Sequence, residues 1–89
     1  MSFPTPTVHL NGTSADSLLN QQLQALGLLR SAHKAMCEAG PHARDYYVQP
    51  DPNAFELAQN AHRDRLMAVE RVMTELEAIG LAVVNQSSR

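Results

Sequence analysis

The chain has 89 residues, 44% of them hydrophobic and 18% charged, with four aromatic side chains (Phe3, Tyr46, Tyr47, Phe55) and no Trp. That is room for one small aliphatic core, which excludes a second domain and most metabolic enzymes. A formal net charge of -2 gives no electrostatic case for duplex nucleic acid or for an anionic membrane surface.

Residues 1–12 read as an extended N-terminal arm. Pro4 and Pro6 are followed by the short alternation Thr7-Val8-His9-Leu10, enough for one brief strand, and Asn11-Gly12 is turn chemistry. Thr13 or Ser14 then caps a helix that starts near residue 14, with Asp16 in the first turn where the helix dipole favours an anion. Leu18, Leu19, Leu23, Leu26, Leu29, Ala32 and Met36 recur at three- and four-residue steps, which places them on one helical face. Leu28 and Ala35 widen the stripe beyond what a single neighbour covers. Gly27 in mid-helix costs about 1 kcal/mol relative to Ala and suits close helix packing. Gly40 fits a left-handed C-cap, and Pro41 cannot continue the helix.

A second helix is predicted from near residue 52, announced by Asp51-Pro52 and by Asn53 with Glu56 at capping-box spacing. Phe55, His62, Leu66, Val69, Met73, Leu76 and Val83 form its apolar seam, with Gly80 at the missing place. His62 on that seam reads as a hydrogen-bonded core or interface histidine. Val72 and Ile79 broaden the seam, while Arg63, Asp64, Glu70, Arg71, Glu75 and Glu77 lie mostly off it, as a solvated face requires. Gly80 ends or loosens this helix, leaving 81–84 as one more turn or a short extended segment, and residues 86–89 as a fraying tail.

The predicted fold is therefore all-α. Two long antiparallel helices form a helical hairpin over residues 13–85, preceded by the arm. Each helix covers the other on one side only, so the wide stripes predict a homo-oligomeric bundle, with Leu19, Leu23, Leu26, Leu66, Val69, Met73 and Leu76 at the oligomer interface. The alternative is a monomer whose arm and residues 81–84 cover the stripe. A lone Cys37, no 18-residue apolar run and no basic, apolar leader at Met1-Ser2-Phe3-Pro4 point to a soluble cytoplasmic protein without a membrane span.

The connection Gly40 to Asp51 exceeds the roughly 2 to 8 residues usual between bundle helices. It holds both tyrosines, Tyr46 and Tyr47, with His42, Arg44 and Asp45 between two prolines. Aromatic faces beside a guanidinium suit stacking on a base and binding a phosphate. Lys34 and Arg30, one and two turns back from the end of helix one, point toward the same end, and Arg63 and Arg65 could lean that way. The alternative is that Tyr47 and Val48 plug the hairpin, pairing as a strand with residues 8–10, while Arg44 and Asp45 pair with each other. One Tyr facing in and the other out satisfies both. His33 and Cys37 are a legitimate i, i+4 pair of zinc ligands, with His42 and His62 near the same end of the hairpin, but no second Cys-x-x-Cys or His-x-x-x-His completes the set, so no metal is expected and Cys37 reads as a buried inert thiol. No nucleophile with an oriented base, no phosphate-cradling loop and no dinucleotide fingerprint is present, so neither catalytic residues nor a cofactor are expected.

With these residues in place, the chain resembles the small helical proteins encoded by phages and prophages. Arg44-Asp45-Tyr46-Tyr47-Val48-Gln49-Pro50 before a helix is similar to the Arg-x-x-Tyr-x-x-Pro lead-in of the helical-hairpin domain in phage sponges, anti-defence proteins that sequester nucleotide immune signals. The resemblance implies a non-enzymatic homo-oligomer in the host cytoplasm that holds a cyclic nucleotide or a cyclic ADP-ribose derivative between protomers, with Tyr and Arg as contact types. The other function expected from the exposed stripe is a protein interaction module, such as an inhibitor of a host defence protein or a phage assembly adaptor.

Overall fold

The computed structural model describes residues 3–87, all in helices, turns or extended connections, without a strand among them. Helix α1 spans Ala15–Glu38 and helix α2 spans Ala54–Ser87, with a 3-10 turn at Ala43–Asp45 between them. Met1, Ser2, Ser88 and Arg89, the outer ends of the predicted arm and tail, lie outside the described residues.

Ser14 opens α1: its hydroxyl accepts the Ser17 N–H at 3.2 Å, satisfying one of the orphan amides of the first turn. The other end closes without a left-handed residue, contrary to the expectation for Gly40. The Ala39 N–H donates to Ala35 and Met36 carbonyls, the Gly40 N–H donates to Cys37 at 3.4 Å, and no glycine has positive φ. A Cβ at Gly40 would stand 3.6 Å from the His62 ring, so this glycine lies where the loop passes close to α2. Helix α2 starts at Ala54, and the capping box is not formed. The Asn53 N–H donates instead to the Asp51 carboxylate at 2.9 Å, and the Ala54 N–H to the Asp51 carbonyl.

Gly80 neither ends nor loosens α2, which runs on through Leu81–Val84 and Gln86, so the tail predicted from residue 86 is helical in its first half. The roughly 1 kcal/mol propensity cost of an internal glycine is outweighed by tertiary contact. Gly80 is buried, with Leu19 Cδ1 3.6 Å from where its Cβ would be. The 24 and 34 helical residues correspond to about 36 Å and about 51 Å. Leu19 beside Gly80, His33 Nε2 3.7 Å from Glu70, and Gly40 beside His62 mark an antiparallel register. In that register the first turns of α2 overhang the end of α1, and the loop doubles back to cover them.

The arm is extended but forms no strand with the loop. Antiparallel packing dictates this, because the chain entering α1 is at the far end of the hairpin from Tyr47 and Val48. The arm binds α2 instead. The Val8 N–H donates to Gln86 Oε1 at 2.8 Å, while Gln86 Nε2 donates to the carbonyls of Pro6 at 2.8 Å and Ala82 at 3.2 Å. One amide thus holds both a donor and an acceptor of the arm. Gln86→Ala is expected to release it, seen as faster hydrogen exchange at the Val8 amide while amides in the middle of α1 keep their protection; equal exchange at Val8 in both proteins would count against the clamp.

The hairpin is elongated, 62 × 24 × 18 Å, with a radius of gyration of 19.0 Å where a compact chain of this length has about 12 Å. Its accessible surface of 6637 Å² exceeds by about 1,500 Å² that of a typical compact monomer of this mass. Leu26 and Val83 are its buried apolar side chains, at 3% and 1% exposure. Leu66, Val69, Met73 and Leu76 are half-buried on the α2 face that carries Gly80 and Val83, the face turned to α1. Among the described residues, no helix is long and apolar enough to cross a membrane.

Candidate functional site: the hairpin tip and the helical groove

Two surfaces carry chemistry, one at each half of the hairpin. At the tip, the 3-10 turn and the hydrogen bond from the Gln49 N–H to the Tyr46 carbonyl fold the loop onto the first turns of α2. The tyrosines divide. Tyr46 is half-buried with its ring 6.1 Å from that of Phe55 at a 43° tilt, an aromatic pair that anchors the loop. Tyr47 is 78% exposed and points away from the hairpin, with Val48 exposed beside it. Neither plugs the core.

Beneath the loop lies a cavity of about 210 Å³ lined by Ala39, Pro41, Tyr46, Ala58, Ala61, His62 and Arg65. Ala58 and Ala61 leave room that larger side chains would fill. His62 was expected to be hydrogen-bonded, yet its Nε2 is buried without a partner. The Nε2–Cδ2 edge of the ring lies against Gly40, 3.6 Å from where a Cβ would stand, and glycine offers it no side-chain acceptor. Arg65 adds a cation to this wall, whereas Arg63 is turned aside to Asn60 Oδ1 at 3.0 Å.

Of the six predicted ligand residues, the structure brings His42, Arg44, Tyr46 and Tyr47 together at the tip. His42 and Arg44 are exposed there, and no ion pair joins Arg44 to Asp45 among the described residues. Lys34 is exposed one turn back along α1. Arg30 belongs elsewhere, since its guanidinium lies 3.5 Å from Glu77 and it lines the second surface. Arg65 does lean toward the tip; its sharing one cavity wall with Pro41 and His62 is what the sequence did not reveal. The i, i+3 spacing of His62 and Arg65 opposite a helix-ending proline is the signal for it.

The second surface is a groove of about 310 Å³ between the first half of α1 and the end of α2, lined by Leu19, Gln22, Leu23, Leu26, Gly80, Leu81 and Val84 with Arg30 and Glu77 at one end. Leu23 and Leu81 are 53% and 61% exposed. The Oε1 of Gln22 is buried on its floor without a hydrogen-bond partner.

His33 and Cys37 do meet, Nδ1 to Sγ at 3.8 Å, with Glu70 on the other ring nitrogen. The thiol is exposed, not buried, because the end of α1 has α2 on one side only. Among the described residues, no group of three or more His, Cys, Asp or Glu side chains is placed to hold a metal ion. Comparison of the chain with protein-family models, with curated proteins and with solved structures finds no match.

Proposed function

We propose that this protein is a non-enzymatic helical interaction module that works as an assembly of hairpins. One observation carries the reading: in a chain with 44% hydrophobic residues, Leu26 and Val83 are the only large apolar side chains buried among the described residues, while Leu23, Leu28, Leu81 and others are left in solvent. Burial of apolar surface is the main driving force for folding and association alike, and an unsatisfied stripe finds it in a partner. Native mass measurement tests the reading directly. The expected result is a particle of two or more copies of the 9.8 kDa chain; a monomer at every concentration would overturn it.

A second reading is favoured by the tip. Tyr47 is an exposed aromatic face on the loop that also carries Arg44, and beneath that loop is a cavity walled in part by His62 and by Arg65, which supplies charge. These are the group types that stack on a base and pair with a phosphate. In the assembled protein they would hold a small cyclic nucleotide, the activity of a phage anti-defence sponge in the host cytoplasm. Calorimetry against a panel of cyclic di- and trinucleotides tests it. Heat is expected with the wild-type chain, and Tyr47→Ala is expected to weaken the affinity by about 5- to 150-fold, since stacking of one base contributes about 1–3 kcal/mol; absence of heat from every nucleotide would sink it.

A further inference from the structure

We infer that the groove between α1 and the end of α2 seats a second copy of this chain, about a two-fold axis passing beside Leu23. The inference rests on the reading of the protein as an assembly of hairpins and names the face that assembles. Area is the first argument. To expose no more surface than a compact protein of twice its mass, a pair of these hairpins must bury about 4,700 Å² in all. That lies in the range of obligate homodimers, whose apolar interfaces resemble a domain core cut in half.

Charge supplies the register. Asp16, Leu23 and Arg30 are spaced seven residues apart, two helical turns each, so they share one face of α1. When α1 runs antiparallel to its copy about an axis at Leu23, residues equally far from Leu23 on either side meet. Arg30 then faces the partner's Asp16, and symmetry makes the pair twice. Arg30 has only a 3.5 Å contact with Glu77 on its own chain and remains more than half exposed, so it is available for this role.

The same register accounts for two features that the single hairpin leaves unexplained. Gly27, four residues after the axis, meets the partner's Leu19, four residues before it. A Cβ at Gly27 would have nothing within 4 Å in the isolated chain, so no intramolecular contact requires glycine there; an approaching helix does. Gln22 is within one residue of the axis, and its buried, unpaired Oε1 needs a donor. A primary amide is both donor and acceptor, and the partner's Gln22, offset by two residues or about 3 Å along the helix, is near enough to supply one.

Light scattering on the wild type and on Leu23→Glu, Leu81→Glu and Leu28→Glu, with oxidation of Leu23→Cys in a Cys37→Ser background, tests the inference. All three leucines are more than half exposed in the hairpin, so far-UV circular dichroism is expected to stay helical. The expected outcome is a wild-type particle of twice the 9.8 kDa chain mass, halved by Leu23→Glu and by Leu81→Glu and unchanged by Leu28→Glu, which is on the far side of α1. Leu23→Cys is expected to form a disulfide-linked dimer. A wild type of two or more copies that survives Leu23→Glu, with no linked dimer from Leu23→Cys, would overturn this face and leave assembly standing. A wild type that is monomeric throughout would overturn both.

Discussion

Leu26→Ala is expected to lower the stability of the hairpin by about 2–5 kcal/mol, the range for removing a buried leucine side chain. Leu26 is 3% exposed where α1 meets the last turns of α2, and among the described residues Val83 is the only large apolar side chain as well covered. In an ordinary domain such a loss is spread over many packed neighbours. Here it removes one of the two buried large apolar side chains among the described residues, and small domains have totals of only about 5–15 kcal/mol to lose from. Alanine is a slightly better helix former than leucine, so the loss is tertiary. A urea transition followed by circular dichroism, with Leu28→Ala as control, checks the prediction. Leu28 is exposed on α1, and its truncation is expected to move stability by no more than about 0.5 kcal/mol. Equal midpoints for the two variants would show that Leu26 is not the keystone of helix packing.

The same sparseness of core explains which parts of the fold were legible from residues alone. Local chemistry was: Ser14 caps α1 because its hydroxyl reaches the Ser17 amide, and Pro41 forbids a continuation. The apolar seam of α2 was also legible, since period alone places Leu66, Val69, Met73 and Leu76 on the side of Gly80 and Val83. What escaped was set by tertiary contact. Gly80 looks like a helix breaker until Leu19 is found packed against it, and Gln86 looks like tail until the arm supplies Val8 and Pro6 as partners.

At the candidate sites the division is similar. A loop rich in tyrosine and arginine can be spotted by composition, but which Tyr faces inward depends on Phe55, the residue that Tyr46 leans on. The tip cavity joins residues from the end of α1, the loop and the overhanging turns of α2. Only the excess length of α2 over α1 brings these together. Arg30 shows the limit of counting turns: it was placed near the tip by helical rise, yet Glu77 draws it to the groove.

Replacing glycines within the helices is expected to stabilise this protein, against the usual result for a buried glycine. At Gly80 an added Cβ would lie 3.6 Å from Leu19 Cδ1, an ordinary van der Waals contact, and at Gly27 it would meet nothing within 4 Å. Neither has positive φ, so alanine enters without backbone strain and restricts the unfolded chain. Gly80→Ala and Gly27→Ala should each add about 1 kcal/mol, or about 4–8 °C in melting temperature for a domain of this size. The two sites lack shared neighbours, so the double variant should show close to the sum. Thermal scans at a concentration where the chain is monomeric isolate this helix effect. Repeated where hairpins pair, they separate the two glycines: Gly27→Ala places a methyl between α1 and its copy and should lose its gain as concentration rises, while Gly80→Ala, already covered by Leu19, should keep it. If Gly27→Ala gains as much at high concentration as at low, no helix approaches α1 at that point.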